Sequence, residues 1–241
     1  MNIYIIRHGE AKKDSVFNFE GYPDADLTEV GLKQAQLTGK HISTVPFDAI
    51  YSSDLKRAMQ TSDIISSYQQ GLKVEIDKQI REINMGVFHT SSEEQIRKDY
   101  PEFYNEFLKK DTDFRYPEGE SGEEVLRRTL NFLESVKHKK FNNICVVCHG
   151  GVIRSVISHF IGLPQHKRFN LYPFNCGISL LRYDGDNFKV IADSSRKEKL
   201  QKSGFTLNKV TFYPDIISEG DSVETFDLII FCVKNYQLDG A

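Results

Sequence analysis

The sequence predicts an α/β fold, a three-layer sandwich in which helices flank a mostly parallel central sheet. Short apolar runs typical of buried strands, such as residues 2–6 and 144–148, alternate with longer segments of helical periodicity. Polar clusters directly follow these predicted strands, at residues 7–10, 52–57, 81–82 and 148–150. Because ligands bind outside the carboxyl ends of parallel strands, we expect these clusters to meet in one pocket.

The predicted strands are short runs of apolar residues that end at polar or turn residues. They lie at residues 2–6, 48–51, 73–76 and 144–148. The segments between them are long enough for the helical crossovers that parallel pairing requires. A closing β-hairpin is predicted from residues 176–182 and 188–192, which flank Asp184-Gly185, a dipeptide typical of tight turns.

The predicted helices begin at residues whose side chains can accept a backbone hydrogen bond. The expected caps are Thr28, for a helix to about residue 41, then Ser52 or Ser53, for a helix from residue 54, and Ser121, which fits a capping box with Glu124. Residues 92–110 are also predicted to be helical, and Pro101 should divide them into two pieces because proline disrupts a helix interior. A last helix follows His149.

The composition is that of a globular protein with a hydrophobic core. The chain has 241 residues, of which 39% are hydrophobic and 27% charged, and its formal net charge is −3. Since cations are not in excess, neither nucleic acid nor a membrane is an expected partner, and an anionic substrate needs a local cluster of cations. No secretory signal is visible, so we expect a cytoplasmic protein with reduced cysteines. Assembly into a homo-oligomer stays open.

Five polar residues near the ends of the predicted strands suit phosphate-ester chemistry. They are Arg7, His8, Arg57, Glu82 and His149. Guanidinium groups match phosphate oxygens in pairs, and an imidazole with one unprotonated nitrogen can act as a nucleophile. A carboxylic acid can protonate the departing alkoxide. The amides of Gly150-Gly151, at the start of a helix, add partial positive charge.

Further sequence motifs surround these five residues. They are Arg7-His8-Gly9-Glu10, residues 21–28, residues 52–61, Arg81-Glu82-Ile83, Glu118-Gly119-Glu120-Ser121 and His149-Gly150-Gly151. These motifs resemble those of the histidine phosphatase (phosphoglycerate mutase-like) superfamily. Together they cover about residues 1–195 and are far more specific than any single motif. The short segment after the acid and Tyr100-Pro101-Glu102 look like the α-ribazole phosphatase and broad-specificity phosphatase group.

The resemblance implies a role for each site residue. His8 would accept the phosphoryl group, while Arg7, Arg57 and His149 would hold its equatorial oxygens. Glu82 would be the acid in the first step and then the base that activates water. Further phosphate-binding residues implied by the family are Gly9, Glu20, Gly21 and Gly150. The implied function is hydrolysis of small-molecule phosphate monoesters through a phosphohistidine, with neither a metal nor a cofactor.

Two departures from the family pattern affect the expected pocket. Asp14 stands where many members have Asn, and a carboxylate there would repel phosphate unless it is turned away or paired. After the acid, the common Gly-x-Trp-x-Gly is replaced by Gly-Val-Phe-His-Thr at residues 86–90, which alters the substrate-side wall. Glu82 could instead be a structural ion-pair partner of Arg81.

Other functions fit the sequence less well. A phosphoglycerate mutase is the first alternative, but mutases carry a longer insertion after the acid, and residues 83–118 are short. A non-catalytic phosphate-binding protein would be expected to lack the nucleophile or an arginine, and none is lost. Cys145 to His149 formally match a c-type haem attachment pattern. Because Cys145 and Cys148 fall on opposite faces of a strand, we interpret them as core thiols.

The resemblance ends near residue 195, which predicts a histidine phosphatase domain at residues 1–195 and a C-terminal extension at residues 196–241. Residues 226–238 of the extension resemble a strand and loop of ketopantoate reductases. The sequence contains no Gly-x-Gly-x-x-Gly, so the phosphate-binding turn of a dinucleotide-binding domain is missing and no nicotinamide cofactor is expected. The apolar run at residues 228–233 must be buried against another surface. Three interpretations of the extension stay open: a fused fragment, an extra β-element at the sheet edge, or a partner-binding tail.

Overall fold

The structure is a computed structural model that describes residues 1–12, 24–89, 91–190, 205–207, 210–212 and 229–230. Its strands are β1 (Asn2–Arg7), β2 (Ala49–Ser52), β3 (Val74–Ile76), β4 (Asn143–Cys148), β5 (Ile178–Tyr183), β6 (Phe188–Val190), β7 (Phe205–Leu207), β8 (Val210–Phe212) and β9 (Ile229–Ile230). Its α-helices are α1 (Glu29–His41), α2 (Lys56–Ser67), α3 (Glu93–Asp99), α4 (Pro101–Lys109), α5 (Gly122–Lys137) and α6 (Gly150–Phe160). Short 3₁₀ helices lie at Lys78–Ile80, Gly86–His89 and Gln165–Asn170.

The central sheet has a parallel core and an antiparallel side. Its strand order is β3-β2-β4-β1-β5-β6, and β3, β2, β4 and β1 are all parallel. β5 runs antiparallel to β1 and forms the predicted hairpin with β6. The mostly parallel sheet flanked by helices is therefore confirmed.

Side chains of β4 alternate between two hydrophobic layers, as a strand buried on both faces requires. Ile144, Val146 and Cys148 pack in the layer that contains α5 and α6, whereas Cys145 and Val147 pack in the layer that contains α2. The two cysteines thus lie on opposite faces of the sheet, as predicted. Both are buried free thiols whose pKa is raised by burial.

The caps of two helices form as the sequence predicts. The Thr28 side chain accepts a hydrogen bond from the Gly31 amide, and Ser121 and Glu124 form a reciprocal capping box. Pro101 occupies the first turn of α4 and separates it from α3. These contacts are local, so residue type and spacing are enough to predict them.

The predicted cap of α2 was wrong. The helix begins at Lys56, its N-cap position is Leu55, and the capping side chain expected from Ser52 or Ser53 is not present there. Instead, Oδ1 of Asp24 accepts a hydrogen bond from the Lys56 amide at 2.5 Å. The Ser53 hydroxyl accepts a hydrogen bond from the Leu55 amide at 3.3 Å, before the helix begins, and it also lies 2.8 Å from His149 in a neighbouring loop.

The hairpin does not close the sheet. β9, which comes from the extension, pairs antiparallel with β5, so that Ser179 is opposite Ile230 and Leu180 is opposite Ile229. Part of the apolar run at residues 228–233 thus joins the sheet edge, while β7 and β8 pair with each other. None of the described helices is long and apolar enough to cross a membrane.

Candidate active site

The carboxyl ends of β1, β2 and β4 bring the predicted site residues together. The strand register pairs Arg7 with Cys148 and Ser52 with Val147. The residues that directly follow the three strands therefore lie at the same edge of the sheet; they are His8, Ser53 and His149. The rings of His8 and His149 have centroids 5.0 Å apart. Helix α1 follows β1 and packs on α2, whereas α6 follows β4 and packs on α5. The site therefore lies where the connections from neighbouring strands diverge.

His8 is held as a neutral imidazole with a defined orientation. Its Nδ1 lies 2.7 Å from the Gly9 carbonyl oxygen, which can only accept, so the Nδ1 proton is donated there. Its Nε2 accepts a hydrogen bond from Nε of Arg57 at 3.1 Å and is therefore unprotonated. Burial, followed by the charges of Arg57 and Arg7, lowers the pKa of His8 well below its ordinary value. His8 thus presents a nucleophilic lone pair at neutral pH.

Two buried guanidiniums supply the positive charge of the site. Arg57 is 1% exposed and contacts His8, as described above. Arg7 is 9% exposed and donates from Nη1 to the Pro173 carbonyl oxygen at 2.9 Å. Burial lowers the pKa of Arg7 to about 10 against the opposing charge of Glu82, so Arg7 remains a cation at neutral pH. Such a pair can hold a phosphoryl group in a site shielded from water.

His149 is the second buried imidazole of the site, and Ser53 holds it from one side. Its Nε2 lies 2.8 Å from the Ser53 hydroxyl oxygen, and its Nδ1 is buried with no hydrogen-bond partner among the described residues. Burial and then the charge of Arg57 lower the pKa of His149 well below its ordinary value. A buried polar nitrogen without a partner is costly, so this atom is suited to meet a ligand.

Glu82 is positioned by backbone amides at the start of α6. Its carboxylate accepts from the Gly151 amide at 3.0 Å, and Oε1 also accepts from its neighbour Ile83 at 2.8 Å. A Cβ at position 151 would lie 2.3 Å from Oε1 of Glu82, so any larger residue there would displace the carboxylate. Arg81, the alternative partner considered for Glu82, forms an ion pair of 2.6 Å with Asp54. The carboxylate is thus held among the site residues.

The glycines predicted to bind phosphate occupy different environments. The amide of Gly9 donates to Oγ1 of Thr61 at 3.0 Å and its carbonyl accepts from His8, so Gly9 holds the His8 ring in place. Gly150 begins α6, and a Cβ there would lie 3.4 Å from Nε of Arg7, which places its backbone against that guanidinium. Glu20, Gly21 and Asp14 lie outside the described residues.

The described part of the altered segment after Glu82, residues 86–89, packs against the core. Phe88, in place of the common Trp, is 1% exposed and contacts an aromatic cluster. Its ring neighbours are Phe103, Phe107 and Tyr116. His89 accepts a hydrogen bond from the Met85 amide at 3.0 Å. Burial and then the charge of Arg57 lower the pKa of His89 to about 4, so a neutral imidazole lies within electrostatic range of the site.

Sequence reasoning missed two supporting contacts in this site, although both lie in the motif at residues 52–61. These are the Ser53 hydroxyl on His149 and the Thr61 hydroxyl, which donates to the Arg57 carbonyl oxygen at 2.7 Å while it accepts from Gly9. Their motif position was the available signal, but their partners depend on strand register.

Within the described ranges, no group of three or more His, Cys, Asp or Glu side chains could hold a metal ion.

Comparison with known families gives two matches. The model for the histidine phosphatase superfamily (branch 1) matches residues 3–193. The model for ketopantoate reductase PanE/ApbA matches residues 176–241, so this resemblance begins 50 residues before the predicted segment at 226–238. The two matches overlap in the hairpin of β5 and β6.

Two similar individual proteins carry the names of a phosphatase and of a mutase. A Hydrogenobacter thermophilus protein, provisionally named phosphoserine phosphatase 2, is 27% identical over 189 residues, or 78% of this chain and 93% of its own. A Yersinia enterocolitica protein, provisionally named phosphoglycerate mutase GpmB, is 32% identical over 184 residues, or 76% and 85% of the two chains.

Solved structures show the same architecture. Bacillus stearothermophilus YhfR is 26% identical, with a TM-score of 0.70 over 78% of this chain and 94% of that chain. The α-ribazole phosphatase from Shigella flexneri shares the fold, with 24% identity and a TM-score of 0.68 over 78% and 93%. Because the family match spans most of the chain and the fold agrees, this protein belongs to the histidine phosphatase superfamily.

Proposed function

We propose that this protein hydrolyses small-molecule phosphate monoesters through a phosphohistidine on His8. The observation that carries the proposal is the state of His8, a buried neutral imidazole whose unprotonated Nε2 faces the Arg57 guanidinium. A nucleophile beside a fixed cation suits attack on a phosphorus whose oxygens carry negative charge. The provisional name of the Hydrogenobacter thermophilus relative supports a phosphatase.

In the first step, Nε2 of His8 attacks phosphorus while the bond from phosphorus to the ester oxygen breaks. The phosphoryl group lies between His8 and Arg57. There it accepts the hydrogen bond from Nε of Arg57 that His8 accepts in the free protein. Arg7 provides positive charge for the equatorial oxygens of the phosphoryl group, and Nδ1 of His149 provides a further hydrogen-bond donor. Glu82, in its protonated form, gives its proton to the departing alkoxide, which leaves as an alcohol.

In the second step, water hydrolyses the phosphohistidine. The Glu82 carboxylate, held by the Gly151 amide, removes a proton from water as its oxygen attacks phosphorus. The bond from phosphorus to Nε2 breaks, inorganic phosphate leaves and His8 returns to its neutral form. Nδ1 of His8 keeps its proton, which is hydrogen-bonded to the Gly9 carbonyl oxygen, in both steps. His8 therefore needs no change of tautomer between turnovers.

We further propose that the reaction needs no metal ion, because two buried arginines already provide the charge that a metal would supply. Full activity after exhaustive chelation is the expected result, and loss of activity that one added metal restores would contradict it. The buried free thiols of Cys145, Cys148 and Cys176 suit a reducing compartment such as the cytoplasm.

A panel of phosphate monoesters tests the function and identifies the substrate. Wild-type protein should release phosphate from at least one ester, and His8→Ala should abolish this release. The control is His41→Ala, which removes an exposed imidazole at the end of α1 and should leave turnover unchanged. Labelling with substrate carrying radioactive phosphorus should give a bond that is stable in base and lost in acid, as expected for phosphohistidine. Near-normal turnover by His8→Ala would overturn the mechanism.

The same experiment separates hydrolysis from mutase activity, which the Yersinia relative's name suggests for that protein. A phosphatase loses the label to water at the rate of turnover. A mutase keeps the label until a second phosphoglycerate molecule accepts it, and isomerises phosphoglycerate faster than it releases phosphate.

A further inference from the structure

Arg128, on helix α5, joins three parts of the chain behind the general acid. Its Nη1 donates to the Gln79 carbonyl oxygen at 2.7 Å, and its Nη2 donates to the Glu82 carbonyl oxygen at 3.1 Å. Its Nε and Nη2 also bind the Glu120 carboxylate at 2.9 and 3.0 Å. One guanidinium thus fixes the main chain on which Glu82 is carried.

Glu120 completes this arrangement from the other side. Its Oε2 accepts from the Asn84 amide at 2.9 Å, and its own amide donates to the Asn84 carbonyl oxygen at 2.8 Å. Residue 82 is held through its carbonyl, and residue 84 through both its amide and its carbonyl. We call the Arg128–Glu120 pair the acid clamp.

The acid clamp has a geometry that a simple surface ion pair lacks. The two side chains are 19% and 25% exposed, and Arg128 binds the carboxylate through two parallel donors, a fork that lysine cannot form. The clamp contacts the main chain of residues 82 and 84. The hydrogen bonds of His8 and Arg57 described above are instead made within β1, α2 and the loops next to them. Arg128 reaches the rest of the site through its charge, which contributes to lowering the pKa of His149.

We propose that Arg128 and Glu120 are positioning residues that aim the Glu82 carboxyl group at the leaving-group oxygen. The inference rests on the proposed function, in which Glu82 protonates the leaving group. The clamp acts on that proton transfer, whereas phosphoryl binding depends on His8, Arg7 and Arg57. It therefore decides which esters are hydrolysed well, since alkoxides need a proton when they leave and stable phenolates do not.

Leaving-group selectivity tests the inference. Arg128→Ala should lower kcat/KM for an alkyl phosphate about 10- to 100-fold, and should change kcat/KM for 2,4-dinitrophenyl phosphate by less than about threefold. Arg128→Lys keeps the charge near His149 but loses the fork, so it should show the same selective loss. Glu120→Gln keeps an acceptor for the Asn84 amide and should show a smaller loss of the same kind. Arg127→Ala, the control, removes an exposed arginine from the next position of α5 and should leave both substrates unchanged.

A double-variant cycle tests whether the clamp acts through Glu82. In a Glu82→Gln background, Arg128→Ala should lower kcat/KM for the alkyl phosphate by less than about threefold, because the proton transfer is already lost. If Arg128→Ala costs the same factor in both backgrounds, the clamp acts elsewhere and the inference is wrong. An equal loss on both substrates by folded Arg128→Ala and Arg128→Lys would also overturn it.

The outcome can be separated from failure of the proposed function. If wild-type protein hydrolyses no ester, or if His8→Ala remains active, the proposed function fails and the acid clamp has no reaction to serve. If wild-type activity depends on His8 but neither clamp variant changes leaving-group selectivity, only this inference fails. Should Arg128→Ala not fold, Arg128→Lys and Glu120→Gln answer the same question with smaller changes in packing.

Discussion

Gly151→Ala offers a sharp test of how Glu82 is placed. A Cβ at residue 151 would lie 2.3 Å from Oε1 of Glu82 and 3.0 Å from Cγ2 of Ile83, whereas ordinary van der Waals contact begins at 3.4 Å. The carboxylate must therefore retreat by about 1 Å. This movement also lengthens the hydrogen bond from the Gly151 amide, which is 3.0 Å long.

The size of the effect follows from this displacement. Misplacement of a catalytic group by about 1 Å costs on the order of 100-fold in rate, or about 2.7 kcal/mol of transition-state stabilisation. Stability should change little, since the crowded atoms are the ends of the Glu82 and Ile83 side chains and alanine is favoured over glycine within a helix by up to about 1 kcal/mol. Gly151→Ala should thus be a folded protein with a defective acid.

The assay is kcat/KM for an alkyl phosphate, measured beside the inhibition constant of inorganic phosphate. Gly151→Ala should lower the first about 100-fold and leave the second nearly unchanged, because His8 and the arginines are not displaced. Gly150→Ala is the matched comparison, since its Cβ would lie at an ordinary 3.4 Å from Nε of Arg7 and should cost much less. Wild-type kcat/KM in Gly151→Ala would refute the placement of Glu82 by α6.

Three further predictions address the charge, the protonation and the extent of the site. Arg57→Ala should lower kcat about 100- to 1000-fold in a folded protein, and an unchanged rate would remove Arg57 from the site. The pKa values of buried His8 and His149 lie well below their ordinary 6.5, so below pH 6.5 the unfolded chain binds protons that the native protein does not. Urea denaturation should therefore show a free energy of unfolding that is highest above pH 6.5 and falls towards pH 5, by up to about 1.4 kcal/mol per pH unit for each imidazole. A free energy of unfolding that does not change with pH would contradict the burial of both imidazoles as neutral groups. We propose that residues 1–195 suffice for the chemistry, so a protein truncated there should keep its kcat/KM, and the full chain should not bind NADPH in a fluorescence titration; inactivity of a folded truncation, or NADPH binding, would contradict this.

The sequence alone was sufficient for features that depend on neighbouring residues. Thr28 and Ser121 cap their helices as predicted, because each side chain reaches an amide only three residues away. The apolar runs predicted β1 and β4 for the same local reason, and their parallel arrangement predicted that His8 and His149 would meet. Residue types at strand ends were therefore enough to identify the candidate site.

The start of α2 shows where local reasoning stops. A serine before a helix is a good N-cap in isolation, but the Ser53 hydroxyl binds the Leu55 amide before the helix begins and lies 2.8 Å from His149, 96 residues away. The helix begins at Lys56, and Asp24 accepts from the Lys56 amide. In the same way, strand β9 pairs with Ser179 and Leu180 of β5, next to the part of β5 that pairs with β6. The apolar run at residues 228–233 indicated that this segment is buried, but in neither case does the nearby sequence identify the partner.

The sequence by itself determined the family, the α/β class and the five residues of the candidate site. Only the tertiary structure decided which nitrogen of His8 carries the proton, which backbone amide holds Glu82 and how Arg128 braces the acid segment. The physical reason is that these are hydrogen bonds of well-defined length and angle. Most of them join residues far apart in the chain, so they depend on sheet register and on the packing of α5 and α6, which no short sequence motif specifies.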